Sequence, residues 1–359
     1  MFLFVKIFVI AFLAAVVFTN FAKKIAWRHK VLDLPGTDPA RKVHRDPKPL
    51  LGGLGVILAF DLVSLFLYQT EPILRQNIPF NSMLAIWLGS IVLAVGGILD
   101  DAKNLKPYQQ IIFPLIAVLL VVFSGMEVPH ISNPFGGKIS LAGFEVAGIS
   151  VIGAAFIFAW LLGMIYTSKF LDGLDGLDGS ISFVAALSLF ALSFTPQVMQ
   201  PYTAILAIAL AGAVFGFLIF NWYPSRIFLG ESGSTFLGFI LGILAIISGG
   251  KVATAFLVMG VPILDVAWVI LRRIFSGQSP FKADRLHLHF RLLDLGLSHK
   301  QTVGIFVLFS AVFGGTAVLL QSFGKFLSVL ILLVVMLCFG LFVVYLSRRR
   351  QIKAGLTGR

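Results

Sequence analysis

Thiols and charge are both scarce in this chain of 359 residues. Cys338 is the single cysteine and lies inside a long apolar run, so neither disulfides nor a cysteine-bound metal can contribute to the fold. Charged residues make up 12% of the chain, about half the share of a soluble domain. No soluble domain or lipidation tail is expected. The first run, Met1 to Phe21, lacks the basic start and A-x-A pattern of a secretory signal, and Lys23-Lys24 follow it directly. A retained helix is expected there.

Hydrophobic residues, at 58%, are what the chain has in excess. A helix crossing a ~30 Å hydrocarbon core needs roughly 20 apolar residues. Eleven runs meet that description, near 2–21, 50–68, 82–99, 109–124, 147–165, 179–195, 202–220, 234–249, 252–271, 303–321 and 325–346. The expected fold is all-α: one polytopic membrane domain over 1–346, followed by a basic tail, 347–359. Its small and Gly-rich helix surfaces could support a homodimer.

The basic residues set the expected orientation, because short cytoplasmic loops retain Lys and Arg during insertion. Of the 28 Lys and Arg, 23 fall in the alternate loops that begin with 22–49 and in the tail, 4 fall in the opposite loops, and Lys6 stands near the amino terminus. The net charge of +12 is therefore mostly a topology signal, and nucleic acid is not an expected partner. An odd number of spans puts the amino terminus outside and the carboxyl terminus in the cytoplasm.

The same face collects the reactive side chains. Loop 22–49 has His44 among Lys42, Arg45 and Lys48, and loop 99–108 has Asp100, Asp101 and Lys103. Loop 166–178 carries Lys169 and the threefold Leu-Asp-Gly repeat with Asp172, Asp175 and Asp178. Loop 221–233 runs from Asn221 to Gly230-Glu231-Ser232-Gly233, and loop 272–302 holds Asp284-Arg285-Leu286-His287-Leu288-His289. Five distant loops converging on one face point to an active site at the membrane surface.

Adjacent carboxylates such as Asp100 and Asp101 repel unless a cation or hydrogen bonds hold them ionised; the bland alternative is a hydrated helix end. Hard oxygen donors of this kind suit Mg²⁺, with Mn²⁺ as a second choice. In the Leu-Asp-Gly repeat the acids recur every three residues, unlike the alternate spacing of a calcium loop. Its glycines would let backbone amides approach phosphate oxygens, and a helix is expected just beyond. Asp178 is the one expected only to cap that helix. Glu231, among Gly and Ser, suits a metal or phosphate, or a capped helix start. His287 and His289 would share a face on a strand and diverge on a helix. They lack the further His or Cys of a zinc site, so phosphate binding with Arg285 and Arg291 is the better reading.

Lys42-Val43-His44, Asp100-Asp101, the run Asp172 to Leu177, the segment Asn221 to Gly238, Pro262-Ile263-Leu264-Asp265 and His287-Leu288-His289 together resemble the polyprenyl-phosphate N-acetylhexosamine-1-phosphate transferases, the WecA, TagO and MraY group. The likeness runs from Arg41 to about Leu297. It implies transfer of a sugar 1-phosphate from a UDP-sugar to a polyprenyl phosphate, with release of UMP, at the cytoplasmic face of the cell membrane, as a step of cell-envelope polysaccharide synthesis. It also implies Asp100 as base and metal ligand, Asp101 beside it, and Asp172 and Asp175 against the nucleotide and diphosphate, with Asp175 counted among the catalytic groups. Glu231 is implied as the main Mg²⁺ ligand. Arg285, His287 and His289 are implied at the diphosphate, Lys42, His44 and Lys48 at the phosphate entrance, and Asn221 at the substrate.

The chain departs from the family pattern at four positions. Relatives usually carry Asn at Tyr166 and Lys169, Asp at Glu231 and His at Phe290. A protonated Lys169 cannot ligate a metal, so its expected role is contact with a diphosphate oxygen, while Glu231 reaches further by one methylene. Lys-Val-His and His-Leu-His resemble the N-acetylglucosamine-type enzymes more than the muramoyl-pentapeptide type, with another N-acetylated hexose as an alternative. Readings from other classes are an inactive nucleotide-sugar or lipid binder and a transporter. A transporter would place ionisable residues nearer the midplane and often show internal repeats.

Overall fold

A computed structural model describes residues 1–35, 46–133, 135–146, 149–196, 198–247, 252–277, 287–320 and 322–353. Its helices are α1 (Phe2–His29), α2 (Gly52–Thr70), α3 (Pro72–Asn77), α4 (Phe80–Lys103), α5 (Pro107–Gln110), α6 (Ile112–Val122), α7 (Val151–Leu171), α8 (Leu177–Leu192), α9 (Pro201–Asn221), α10 (Gly230–Ile247), α11 (Val252–Val258), α12 (Gly260–Phe275), α13 (Leu288–Asp294), α14 (His299–Leu319) and α15 (Ser322–Lys353). Strands are confined, among the described residues, to three short antiparallel ribbons: Leu32–Asp33 with Lys48–Pro49, His130–Ser132 with Lys138–Ser140, and Glu145–Val146 with Ile149–Ser150. Apolar chain in hydrocarbon has no water to satisfy its backbone, and a helix satisfies it within one segment.

Eight described helices, α1, α2, α4, α7, α9, α10, α14 and α15, are long and apolar enough to cross a bilayer, with a ninth span if α11 and α12 count together. The eleven runs read from the sequence need correction at three places. Runs 109–124 and 179–195 fold as the shorter apolar helices Pro107–Val122 and Leu177–Leu192. The latter has 16 residues, and a helix of that length rises only about 24 Å. Run 252–271 is broken, with α11 and α12 meeting at 79°. Pro262 has no N–H to offer the carbonyl four residues back, so the helical ladder is interrupted where the chain bends.

The core is built around α9 and α10, which are buried along nearly their whole length. α9 packs on α1, α2 and α8, and α10 on α4, α7 and α2. Small residues one turn apart make the α1–α9 contact: a Cβ added at Gly216 would lie 2.5 Å from the Phe12 carbonyl oxygen and 2.9 Å from the Ala15 Cβ. Such pairs let helix backbones approach closely in a membrane. Outward faces carry exposed Leu13, Val17, Val334 and Leu337, a surface suited to lipid.

One end of the bundle is stitched by loops. The Phe228 N–H donates to the Pro49 carbonyl at 2.8 Å, and the Gly52 and Gly53 amides donate back to the Phe228 and Leu229 carbonyls at 3.0 and 2.7 Å. The chain entering α2 is thereby fastened to the loop that starts α10, and the ends of α4 and α7 close around it.

Candidate active site

Glu231, in the first turn of α10, is the hub. Its backbone N–H donates to Asp101 Oδ1 at 3.2 Å and Oδ2 at 3.3 Å, so the amino-terminal dipole of α10 faces a carboxylate from the last turn of α4. Gly230 makes that approach feasible. Its φ is +75°, and an added Cβ would stand 2.6 Å from Asp101 Oδ2. The Glu231 side chain meets Lys169 from the last turn of α7, with Oε1 2.5 Å from Nζ. The ammonium also lies 5.9 Å from the Tyr166 ring centre.

Lys169 Nζ donates to Gln110 Oε1 at 2.9 Å. Gln110 Nε2 donates to Asp100 Oδ1 at 3.0 Å, and the Leu105 N–H donates to the same oxygen at 2.8 Å. Asp100, Gln110, Lys169, Glu231 and Asp101 thus form one connected polar chain across α4, α5, α7 and α10.

The Leu-Asp-Gly repeat wraps the other side, between α7 and α8. Burial, then the Glu231 and Asp175 carboxylates, push Asp172 up from its ordinary 3.8 to about 7. Asp175 Oδ2 accepts from the Ser225 N–H at 2.9 Å, and the Asp175 carbonyl oxygen lies 3.2 Å from His299 Nε2. His299 stacks on Tyr223 with ring centres 4.3 Å apart. Asp178 is engaged within the protein: Ser168 Oγ donates to its carboxylate, 3.0 and 2.8 Å from the two oxygens. The cap of α8 is Gly176, not Asp178 as the sequence suggests, and Asp178 ties α8 to α7.

The histidines sit at the start of α13. His287 Nδ1 lies 3.0 Å from Asp265 Oδ2, and Asp265 Oδ1 accepts from the Leu288 N–H at 2.9 Å. The two imidazoles are stacked, with centres 5.7 Å apart and planes 9° apart, and His287 also stacks on Phe170. Neither the strand nor the helix expectation applies, because His287 is the residue just before α13 and its neighbours hold the ring parallel to that of His289. His289 packs against the repeat, since a Cβ at Gly173 would lie 3.2 Å from two of its ring carbons.

The description "Glycosyl transferase family 4" belongs to a family model that matches residues 83–249, from α4 to the end of α10. The chain is similar to that family over this stretch, a little under half of its length. It is 29% identical over 339 residues to a probable undecaprenyl-phosphate N-acetylglucosaminyl 1-phosphate transferase of Bacillus subtilis, covering 92% of this chain and 88% of the relative. It is 29% identical over 292 residues to a decaprenyl-phosphate N-acetylglucosaminephosphotransferase of Mycobacterium tuberculosis, covering 75% and 71%. It is 26% identical over 328 residues to an undecaprenyl-phosphate alpha-N-acetylglucosaminyl 1-phosphate transferase of Escherichia coli K12, covering 86% and 82%.

In this chain the cluster brings together Asp100, Asp101, Lys169, Asp172, Asp175 and Glu231, with His287 and His289 alongside. Lys42, His44 and Arg285 lie outside the described residues. Two expected substrate ligands are engaged within the protein. Lys48 Nζ donates to the Ser225 carbonyl at 2.5 Å. Asn221 Oδ1 accepts from the Gly176 N–H at 2.9 Å while its Nδ2 donates to the Ile227 carbonyl at 2.9 Å. Gln110, Ser225 and His299 were not singled out by the sequence. Only the polar pair Gln109-Gln110 at the mouth of an apolar run hints at the first.

The donor set fits a hard divalent cation. Asp100, Asp101, Asp172 and Glu231 lie within electrostatic reach of one another, and Lys169 is the ammonium that balances them. No three His, Cys, Asp or Glu side chains among the described residues form a protein-only metal cage.

Proposed function

We propose that this chain transfers N-acetylhexosamine 1-phosphate, with N-acetylglucosamine as the first candidate sugar, from a UDP-sugar to a polyprenyl phosphate in the membrane. One observation carries the reading: acids, a lysine and two histidines from four separated stretches meet at one end of a bundle of membrane helices. Loop charge supports placing that end at the cytoplasmic face of the cell membrane, where the nucleotide sugar is soluble and the lipid phosphate is exposed. The names of the relatives support the sugar and the lipid.

An oxygen of the acceptor phosphate attacks the sugar-bearing phosphorus of the donor. A new P–O bond forms as the bond to the bridging oxygen breaks, and UMP leaves with that oxygen. Mg²⁺, held by Glu231 with Asp100 or Asp101, would neutralise phosphate charge as it shifts to the leaving group. Asp100 takes the acceptor's proton at Oδ2, because Oδ1 already accepts from the Leu105 N–H and Gln110. Lys169 contributes its ammonium to a diphosphate oxygen. Asp172 and Asp175 lie against the nucleotide side, and His287 binds the diphosphate through Nε2, since Nδ1 faces Asp265.

The test is purified protein in detergent with Mg²⁺, polyprenyl phosphate and a panel of UDP-sugars, following UMP and lipid-linked product together. UMP formed with UDP-N-acetylglucosamine and lost in Asp100→Asn is the expected result. No UMP with any donor, despite saturable UDP-sugar binding, would favour a second reading, a binder without turnover. The Lys169–Glu231 ion pair is the observation behind it, because the ammonium sits on the principal candidate metal ligand.

A further inference from the structure

We infer that Gln110 is a positioning residue of this site, a single carboxamide that orients Asp100 with one end and Lys169 with the other. The inference rests on the transferase reading for its kinetic consequence and on the hydrogen bonds for its geometry. Nε2 donates to Asp100 Oδ1 and to the Leu105 carbonyl, both at 3.0 Å, and Oε1 accepts from Lys169 Nζ at 2.9 Å. The amide can be placed only this way round, because a carboxylate and a carbonyl only accept and an ammonium only donates. A flipped amide would set a carbonyl against two acceptors and an NH₂ against an ammonium.

Two consequences follow for the reacting groups. Oδ1 of Asp100 accepts from both Gln110 and the Leu105 N–H, so among the described residues Oδ2 is the oxygen left to face the acceptor. Lys169 is held between Gln110 and Glu231, which directs its remaining N–H bond rather than leaving a four-carbon stem to wander. Gln110 is the last residue of the one-turn helix α5, and Pro107 and the Gln109–Lys106 capping contact fix that turn. The brace therefore joins a rigid surface turn to the ends of α4 and α7.

The test compares wild type, Gln110→Met, Lys169→Met and the double variant by UMP release and thermal melting. Gln110→Met keeps the side chain's length and removes all three hydrogen bonds. Its kcat is expected to fall about 10- to 100-fold, the usual effect of removing a partner that orients a reacting ligand, with KM for both substrates little changed. The double variant is expected to lose much less than the product of the single losses, because the two residues act through one contact. Gln110→Glu, which still accepts from Lys169 but sets a carboxylate against Asp100, is expected to keep the melting temperature better than Gln110→Met and still lose kcat. Wild-type kcat in Gln110→Met, or losses that simply multiply, would overturn the inference. If wild type itself releases no UMP, the transferase reading fails separately. Melting then decides the brace, with non-additive losses supporting it and additive ones overturning it.

Discussion

The Lys169 ammonium lies 2.5 Å from Glu231 Oε1, at the place where α7 ends and α10 begins. It is a resident cation among carboxylates that would otherwise face one another across a shielded cleft. Removing one partner of such a pair leaves its mate uncompensated. In Lys169→Met without divalent cation, a destabilisation of about 1–3 kcal/mol is expected, lower than for a fully buried pair because both side chains retain some exposure. Excess Mg²⁺ is expected to restore much of it. Melting in chelator and in Mg²⁺ checks this; equal melting temperatures for variant and wild type in chelator would show that the pair does not hold the site together.

Lys169→Asn separates charge from shape. If the ammonium meets a diphosphate oxygen, this variant is expected to weaken UDP-sugar binding and lower kcat/KM by about 10-fold or more, as for loss of a charge-assisted contact. Full activity with unchanged UDP-sugar affinity would remove that role.

Asp172 gives a pH dependence with a definite sign. Its pKa is raised from 3.8 to about 7, so between those values the folded protein keeps a proton that the unfolded chain has lost. Stability is therefore highest below the unfolded value and declines as pH rises from about 4 to 7. Without divalent cation, Asp172→Asn is expected to melt with a shallower decline between pH 5 and 7 than wild type. Parallel melting curves would rule out Asp172 as the titrating group. A bound divalent cation favours the carboxylate and is expected to flatten the wild-type curve.

Asp265 and His287 form a buried pair on different segments, 22 residues apart. Asp265 sets which nitrogen of His287 faces the cleft and also holds the first amide of α13. Asp265→Asn preserves the shape and an acceptor for the Leu288 N–H. It replaces the carboxylate that fixes the imidazole, and a kcat/KM loss of about 10- to 100-fold is expected. His287→Ala with Asp265→Asn is expected to lose little beyond His287→Ala alone. Multiplying losses would mean that Asp265 acts elsewhere.

What was legible in the sequence follows from the length scale of each signal. Spans are long and apolar throughout, so the helices of the bundle could be seen, and errors came where run length and helix length part company. Pro262 cuts one run, and the Leu-Asp-Gly repeat leaves α8 short. Asp100, Asp101, Asp172 and Glu231 stood out because acids at the ends of apolar runs are costly. Their contacts did not: Gln110 and Lys169 are 59 residues apart, and nothing local in either segment announces that the two meet. In one dimension Asn221 looks like a ligand and Asp178 like a helix cap. The fold uses both to join helix ends, a role visible only once Ser168 and the Gly176 amide are in place.

Gly173 separates the two roles that the repeat's glycines could have. A turn-former would tolerate Ala at modest cost, whereas a glycine chosen for close approach would not. The His289 ring lies where a Cβ would go, with Nε2 nearer still than the carbons at 3.2 Å. Gly173→Ala must push the imidazole off the repeat or move the Asp172 backbone, and overpacking of this kind costs about 1–3 kcal/mol. Because both candidate binding groups shift, the expected signature is a loss of UDP-sugar affinity larger than the loss of melting temperature implies. His289→Ala should largely relieve the clash in Gly173→Ala, raising the double variant's melting temperature above that of Gly173→Ala alone. No such rescue would place the constraint in the backbone of the repeat and release His289 from the diphosphate side of the site.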